Sequence, residues 1–273
     1  MERRVVFVGG GNMACSLIGG LRHAGSPATV TVVEPDAAKH AALTEAYAVD
    51  CVSQASPEVM DADAVVLAVK PQILPDVATE LAESMTTSSA AVISVAAGVP
   101  LAALVHWFGE KRAIVRCMPN TPALIGAGIT GLYAPPGVDQ QTRQLADDIL
   151  TASGQTVWVD AESKLNTVTA VSGSGPAYFF AFMEALQTAA ENEGLDPATA
   201  RQLVTQTALG AARMVEESGD DAGTLRAKVT SPGGTTEKAL GELTSGQVDV
   251  AINRAVEAAA SRAGELADDL DPS

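Results

Sequence analysis

The chain has 273 residues, 47% of them hydrophobic, which suffices for one large domain or two ordinary ones and excludes a disordered tail protein. A net charge of -16, from 17 Lys plus Arg against 33 Asp plus Glu, argues against general nucleic-acid binding. Three cysteines, at 15, 51 and 117, lack CxxC spacing and cannot form a disulfide framework, and no run reaches membrane-spanning length, so a soluble cytoplasmic protein without a metal site is expected.

Up to about residue 160, short Val/Ile/Ala-rich runs alternate with helical stretches, the pattern of a parallel sheet covered on both faces by helices. Strands are expected near 4 to 8, 28 to 34, 63 to 69, 90 to 95 and 112 to 117, with two further short ones at Ile129 to Ala134 and Thr156 to Val159. The first runs into Gly9-Gly10-Gly11-Asn12-Met13-Ala14, a GxGxxA turn that opens a helix continuing through Ser16 to His23. In that arrangement Gly9 makes the turn, Gly11 lets a pyrophosphate approach the backbone, and Ala14 lets helix pack on strand. Main-chain N–H groups and the positive helix end then face the phosphates.

The second strand ends at Glu34, about twenty residues past Ala14. A carboxylate there accepts from both adenosine ribose hydroxyls and repels a 2′-phosphate. Pro35 follows and no arginine is near, which favours NADH over NADPH. Further along, Ala68-Val69-Lys70-Pro71, Ala96-Ala97-Gly98 and Met118-Pro119-Asn120-Thr121-Pro122 close later strands with small residues and prolines. Such turns suit a nicotinamide lying across the sheet edge, although strand termination alone would also account for them.

After Asp160 the character changes to long Ala-rich helical segments, Pro176 to Glu193, Pro197 to Glu217 and Val248 to Leu266. Domains of 1–160 and 161–273 follow, the second all-helical and poor in apolar bulk, so it is expected to cover its surface against a second copy. Within it, Ser231-Pro232-Gly233-Gly234-Thr235-Thr236-Glu237 reads as a helix start with Ser231 as N-cap, Pro232 at the first helical position and two glycines in the first turn. Glycines there, each costing about 1 kcal/mol relative to Ala, expose donors to a small carboxylate. Ser172-Gly173-Ser174-Gly175-Pro176 repeats the arrangement, and two such starts could surround a small polar ligand.

The motifs GGGNM at 9 to 13, AVKP at 68 to 71, AAGV at 96 to 99, RCMPNTPAL at 116 to 124, SGSGPAY at 172 to 178 and SPGGTT at 231 to 236 resemble those of pyrroline-5-carboxylate reductases, in order and spacing, from Val5 to about Leu266. The resemblance implies a Rossmann-type doubly wound sheet followed by an all-α dimerisation domain, active sites drawing on two protomers, and assembly of dimers into decamers. It implies reduction of 1-pyrroline-5-carboxylate to L-proline by NAD(P)H, the last step of proline biosynthesis. Carried over, Val8, Gly9, Gly10, Gly11, Asn12, Met13, Glu34, Pro35, Ala68, Val69, Lys70, Pro71, Ala96, Ala97 and Gly98 contact the cofactor. Ser231, Gly233, Gly234, Thr235 and Thr236 hold the substrate, with Glu162 as a further candidate.

Hydride transfer to C=N needs a donor that hydrogen-bonds the imine nitrogen as electrons arrive there, a role given to Thr236. His23, His40 and His106 fall in helical stretches far from SPGGTT and read as surface or packing residues, and Cys15 and Cys117 as small apolar ones. Two alternatives stand beside this reading. One is a β-hydroxyacid dehydrogenase-like oxidoreductase with Lys164 as its catalytic lysine; the other is a protein that senses NAD(P)H without turnover.

Overall fold

The computed structural model describes residues 3–270, in two compact units, residues 3–174 with 258–270 and Gly175–Glu257. The first unit holds an eight-stranded sheet: β1 (Arg4–Val8), β2 (Thr29–Val33), β3 (Asp50–Val52), β4 (Ala64–Leu67), β5 (Ala91–Ser94), β6 (Ile114–Met118), β7 (Gly128–Tyr133) and β8 (Gly154–Trp158). Their order is β3-β2-β1-β4-β5-β6-β7-β8. β1 to β6 pair in parallel; β7 is antiparallel to β6 and parallel to β8. Order reverses between β1 and β4, which is where such sheets open a crevice at the carboxyl ends of their strands.

Strand alternation builds a core on each face. Val5 and Phe7 point to one side, where α1 (Asn12–His23), α2 (His40–Tyr47) and α6 (Gln140–Leu150) bury Leu17, Ile18, Leu43, Leu145 and Ile149. Val6 and Val8 point to the other, against Met60 of α3 (Pro57–Met60), Leu74 and Leu81 of α4 (Leu74–Ser84), and Leu104 and Phe108 of α5 (Leu101–Phe108). This is the expected doubly wound α/β sheet. β3 was not foreseen, because its three residues at the sheet edge carry no apolar run.

α7 (Lys164–Val168) leads through a π-helical turn at Thr169–Gly173 into α8 (Gly175–Asn192). The change of character at Asp160 marks the end of the sheet; α7 still packs on β6 and β7, which places the boundary between compact units after Ser174. The second unit holds α8, α9 (Pro197–Ser218), α10 (Ala222–Lys228), α11 (Thr235–Ser245) and the first turns of α12 (Val248–Asp268), whose remainder belongs to the first unit. Asp196 and Asp221 start α9 and α10 by accepting from Thr199 and Thr224 N–H, at 3.1 and 2.8 Å. Within Gly175–Glu257 the only buried hydrophobic side chains are Ala200 and Val204, while Phe179, Phe180 and Phe182 are 71%, 65% and 53% exposed. No helix among the described residues is long and apolar enough to cross a membrane.

Candidate active site

Register places the first candidate residues. Val8 pairs with both Val33 and Leu67, so Gly9, Glu34 and Ala68 follow side by side at one sheet edge. Gly9 N–H donates to Val33 O at 2.8 Å and Ala68 N–H to Val8 O at 2.9 Å. Gly9 has φ +95°, and a Cβ on it would lie 2.9 Å from Val69 Cγ1 and 3.1 Å from Ala68 O. The turn after β1 and the turn after β4 therefore touch at the switch point, and only glycine admits that approach.

Gly11 differs: a Cβ there would meet nothing within 4 Å. As N-cap of α1 it has no side chain to offer, so no side-chain cap covers the amides of Asn12 and Met13. The residues present thus fit a dinucleotide, with an open approach over Gly11 to uncapped main-chain donors. The small turns expected at later strand ends lie on the same edge. Ala68 and Val69 are half-buried, Lys70 is exposed and extended before Pro71, and Ala96 is buried ahead of the Ala97–Gly98 turn, where Gly98 has φ +75°.

Glu34 is buried, and Pro35 beside it is exposed. Burial pushes the Glu34 carboxyl up, but N–H donors of Asp36 and Gly10 and the Lys39 ammonium outweigh it and hold the group below its ordinary range. Gly10 N–H reaches Glu34 Oε2 at 3.0 Å, so one amide expected to be free for phosphate is already engaged. His40, expected as a surface or packing residue, has Nε2 2.6 Å from Glu34 O and anchors this strand end. Lys39, 3.2 Å from Glu34, carries no signal in the sequence, since it stands five residues past Glu34 and only the turn at Ala37–Lys39 folds it back.

Further along the edge, Arg116 of β6 is buried and ion-paired with Glu162, whose Oε1 also accepts Leu101 N–H at 2.6 Å. Glu162 thereby ties the approach to α7 to β6 and to the start of α5. Asn120, buried at the turn after β6, accepts from Ile129 N–H at 3.0 Å and donates to Ser172 O at 3.1 Å. Pro176 has no N–H for that carbonyl, so the asparagine side chain serves it instead. Arg116 and Asn120 lie in the RCMPNTPAL motif, yet neither has a role of its own legible from sequence alone, since a strand arginine and a turn asparagine do not show their partners. Lys164 pairs with Asp160 at 2.7 Å, both exposed. Burial pushes the Cys117 thiol up, consistent with a packed, inert cysteine.

Two local expectations are corrected. The helix start expected at Pro176 is present, as α8 begins at Gly175, but its lead-in is not open to a ligand: Ser174 N–H donates to Thr169 O at 2.8 Å and Ser174 is itself αR, so the π-helical turn engages the residues before it. Ser231 is not an N-cap. Gly234 caps α11, and Ser231 O accepts Gly234 N–H at 3.0 Å across a turn with Pro232 second and Gly233 at φ +73° third, the type II pattern. The glycines thus precede the helix, where the turn requires one positive φ, rather than weakening its first turn. Thr235 and Thr236 open α11 with no side-chain cap on Gly234, and Glu237 turns back to accept Gly233 N–H at 2.8 Å. The amides of Gly233 and Gly234 are thus taken by Glu237 and Ser231, and those of Thr235 and Thr236 are left without a side-chain cap at the positive end of an eleven-residue helix.

Among known proteins, residues 162–266 match the family model described as pyrroline-5-carboxylate reductase dimerisation, and residues 4–98 the one described as NADP oxidoreductase coenzyme F420-dependent. A pyrroline-5-carboxylate reductase of Pseudomonas aeruginosa is 45% identical over 268 residues, covering 98% of each chain. The solved structure of a pyrroline-5-carboxylate reductase from Coxiella burnetii superposes with TM-score 0.93 at 42% identity over 97% of this chain and 99% of that one. A Plasmodium falciparum pyrroline carboxylate reductase with NADP bound gives TM-score 0.83 at 27% identity over 97% and 98%.

Proposed function

As the chain belongs to the pyrroline-5-carboxylate reductase family, we propose that it reduces 1-pyrroline-5-carboxylate to L-proline with hydride from NAD(P)H, the last step of proline biosynthesis. The observation that carries the site assignment is the presence in one chain of two uncapped glycine-led helix starts, Gly11 before α1 and Gly234 before α11.

A bound nicotinamide supplies the hydride. The main-chain N–H groups of Asn12 and Met13, at the uncapped start of α1, hold the pyrophosphate; Gly9 and Gly10, whose own amides are engaged by Val33 and Glu34, shape the turn after Val8, and Gly11 leaves it room. Glu34 and Pro35 border the adenosine ribose, and Ala68 to Pro71 and Ala96 to Gly98 leave room along the edge for the nicotinamide half. The Thr235 amide holds the substrate carboxylate beside the turn that Ser231, Gly233 and Gly234 build, and the Thr236 hydroxyl donates to the imine nitrogen as the C=N electron pair moves onto it. Glu162 contributes only what its pairing with Arg116 leaves over.

The ionised Glu34 supports a preference for NADH, kept small by the neighbouring Lys39. The exposed phenylalanines of α8 support a homodimer through the helical unit, with dimers assembling into decamers, and three free cysteines suit the reducing cytoplasm.

Thr236→Val tests the assignment. Loss of a donor at an oxyanion-type site costs about 2.7–4 kcal/mol, an upper guide where the iminium is already protonated. Steady-state kinetics should show kcat/KM for the imine falling by up to about a hundredfold to a thousandfold while the NADH dissociation constant stays the same. An unchanged kcat/KM removes Thr236 from the mechanism.

A further inference from the structure

Glu34 is not a bare negative charge. One oxygen accepts Gly10 N–H at 3.0 Å, the other accepts Asp36 N–H at 3.1 Å and lies 3.2 Å from Lys39 Nζ. The partners differ in freedom. Gly10 N–H is fixed by the β1 turn, and Asp36 N–H by a 3-10 turn that the Asp36 carboxylate itself caps through Ala38 N–H at 3.1 Å. The Lys39 side chain is 51% exposed on a flexible stem, while that of Glu34 is 8% exposed. When Lys39 turns away, Glu34 keeps two charge-assisted amide bonds, so the cation can be drawn to another anion at little cost.

We propose that Lys39 is the specificity-determining residue for the cofactor, neutralising Glu34 when the adenosine ribose carries a 2′-hydroxyl and pairing with the phosphate when it carries a 2′-phosphate. The assignment rests on the reading of the β1–α1 turn as a dinucleotide site. A ribose diol meets an acceptor at Glu34. A 2′-phosphate meets a carboxylate still satisfied by its two amides and a mobile ammonium beside it, so repulsion by Glu34 is offset. The chain then takes both nucleotides with shallow discrimination.

Calorimetric titration of the full chain with NADH, NADPH, 5′-AMP and 2′,5′-ADP, without imine, tests this apart from turnover. Lys39→Gln should weaken NADPH and 2′,5′-ADP about fivefold to tenfold, as for a partly exposed charge pair, and leave NADH and 5′-AMP within about twofold. The difference should shrink in molar salt. Glu34→Gln, with Lys39 intact, should tighten the 2′-phosphorylated pair relative to the others. Equal loss for all four ligands, or none, in a Lys39→Gln protein that melts like the parent overturns the role of Lys39. Failure of the unmodified chain to bind either dinucleotide overturns the underlying site as well.

Discussion

Gly11 and Gly20 separate function from stability at the level of single atoms. A Cβ on Gly11, whose φ is -80°, meets nothing within 4 Å, so Gly11→Ala should melt like the parent yet bind NADH severalfold more weakly by fluorescence titration, because the methyl stands where the pyrophosphate approaches. A Cβ on Gly20 would lie 2.1 Å from Ala152 O, backbone that cannot step aside. Gly20→Ala should therefore cost about 3 kcal/mol or more in urea unfolding. Glu34 adds a dependence on pH. Its carboxyl titrates below its ordinary value near 4.5 in the folded chain, so its contribution to stability is complete above that value and is lost as pH falls through the lowered one. The stability gap between the parent and Glu34→Gln should be constant near neutrality and close in acid; a gap that widened on acidification would contradict the network around Glu34.

Among the elements, the turn ahead of α11 shows what sequence pattern can and cannot convey. The composition Ser-Pro-Gly-Gly-Thr-Thr announced a helix start with exposed donors, and the helix is there, but the pattern could not say which residue caps it. Ser231 and Gly234 both qualify by type, and the choice was made by the type II turn that Pro232 and the positive φ of Gly233 impose. Gly233→Ala should accordingly cost roughly 1–2 kcal/mol from left-handed strain alone, read as loosened hydrogen exchange at Gly234 and the start of α11, and should raise KM for the imine more than it lowers kcat. The sheet was legible because Val/Ile runs buried on both faces have no competing explanation. The three-residue β3 was not, since an edge strand needs no apolar run. The turns at the carboxyl ends of the strands could be located by their strand, whereas the ties made by Arg116, Asn120 and Lys39 join residues distant in sequence or of unremarkable type and emerge only from the fold.

For the molecule as a whole, the helical unit is the part that cannot be explained by one chain. With Ala200 and Val204 its only buried hydrophobic side chains, and three phenylalanines of α8 exposed, it needs a partner surface, since each phenylalanine covered contributes roughly 1.5–3 kcal/mol. Sedimentation should find a dimer or larger at micromolar concentration, and Phe179→Asp should shift the mass toward the monomer and make the melting temperature fall on dilution. A parent chain that sediments as a monomer at every concentration would refute this. The central claim is chemical. Addition of 1-pyrroline-5-carboxylate to the enzyme with NADH, and in parallel with NADPH, should oxidise one nicotinamide for each L-proline formed, with NADH modestly ahead. Nucleotide binding with no oxidation and no proline would contradict the account and leave a sensor in place of a reductase.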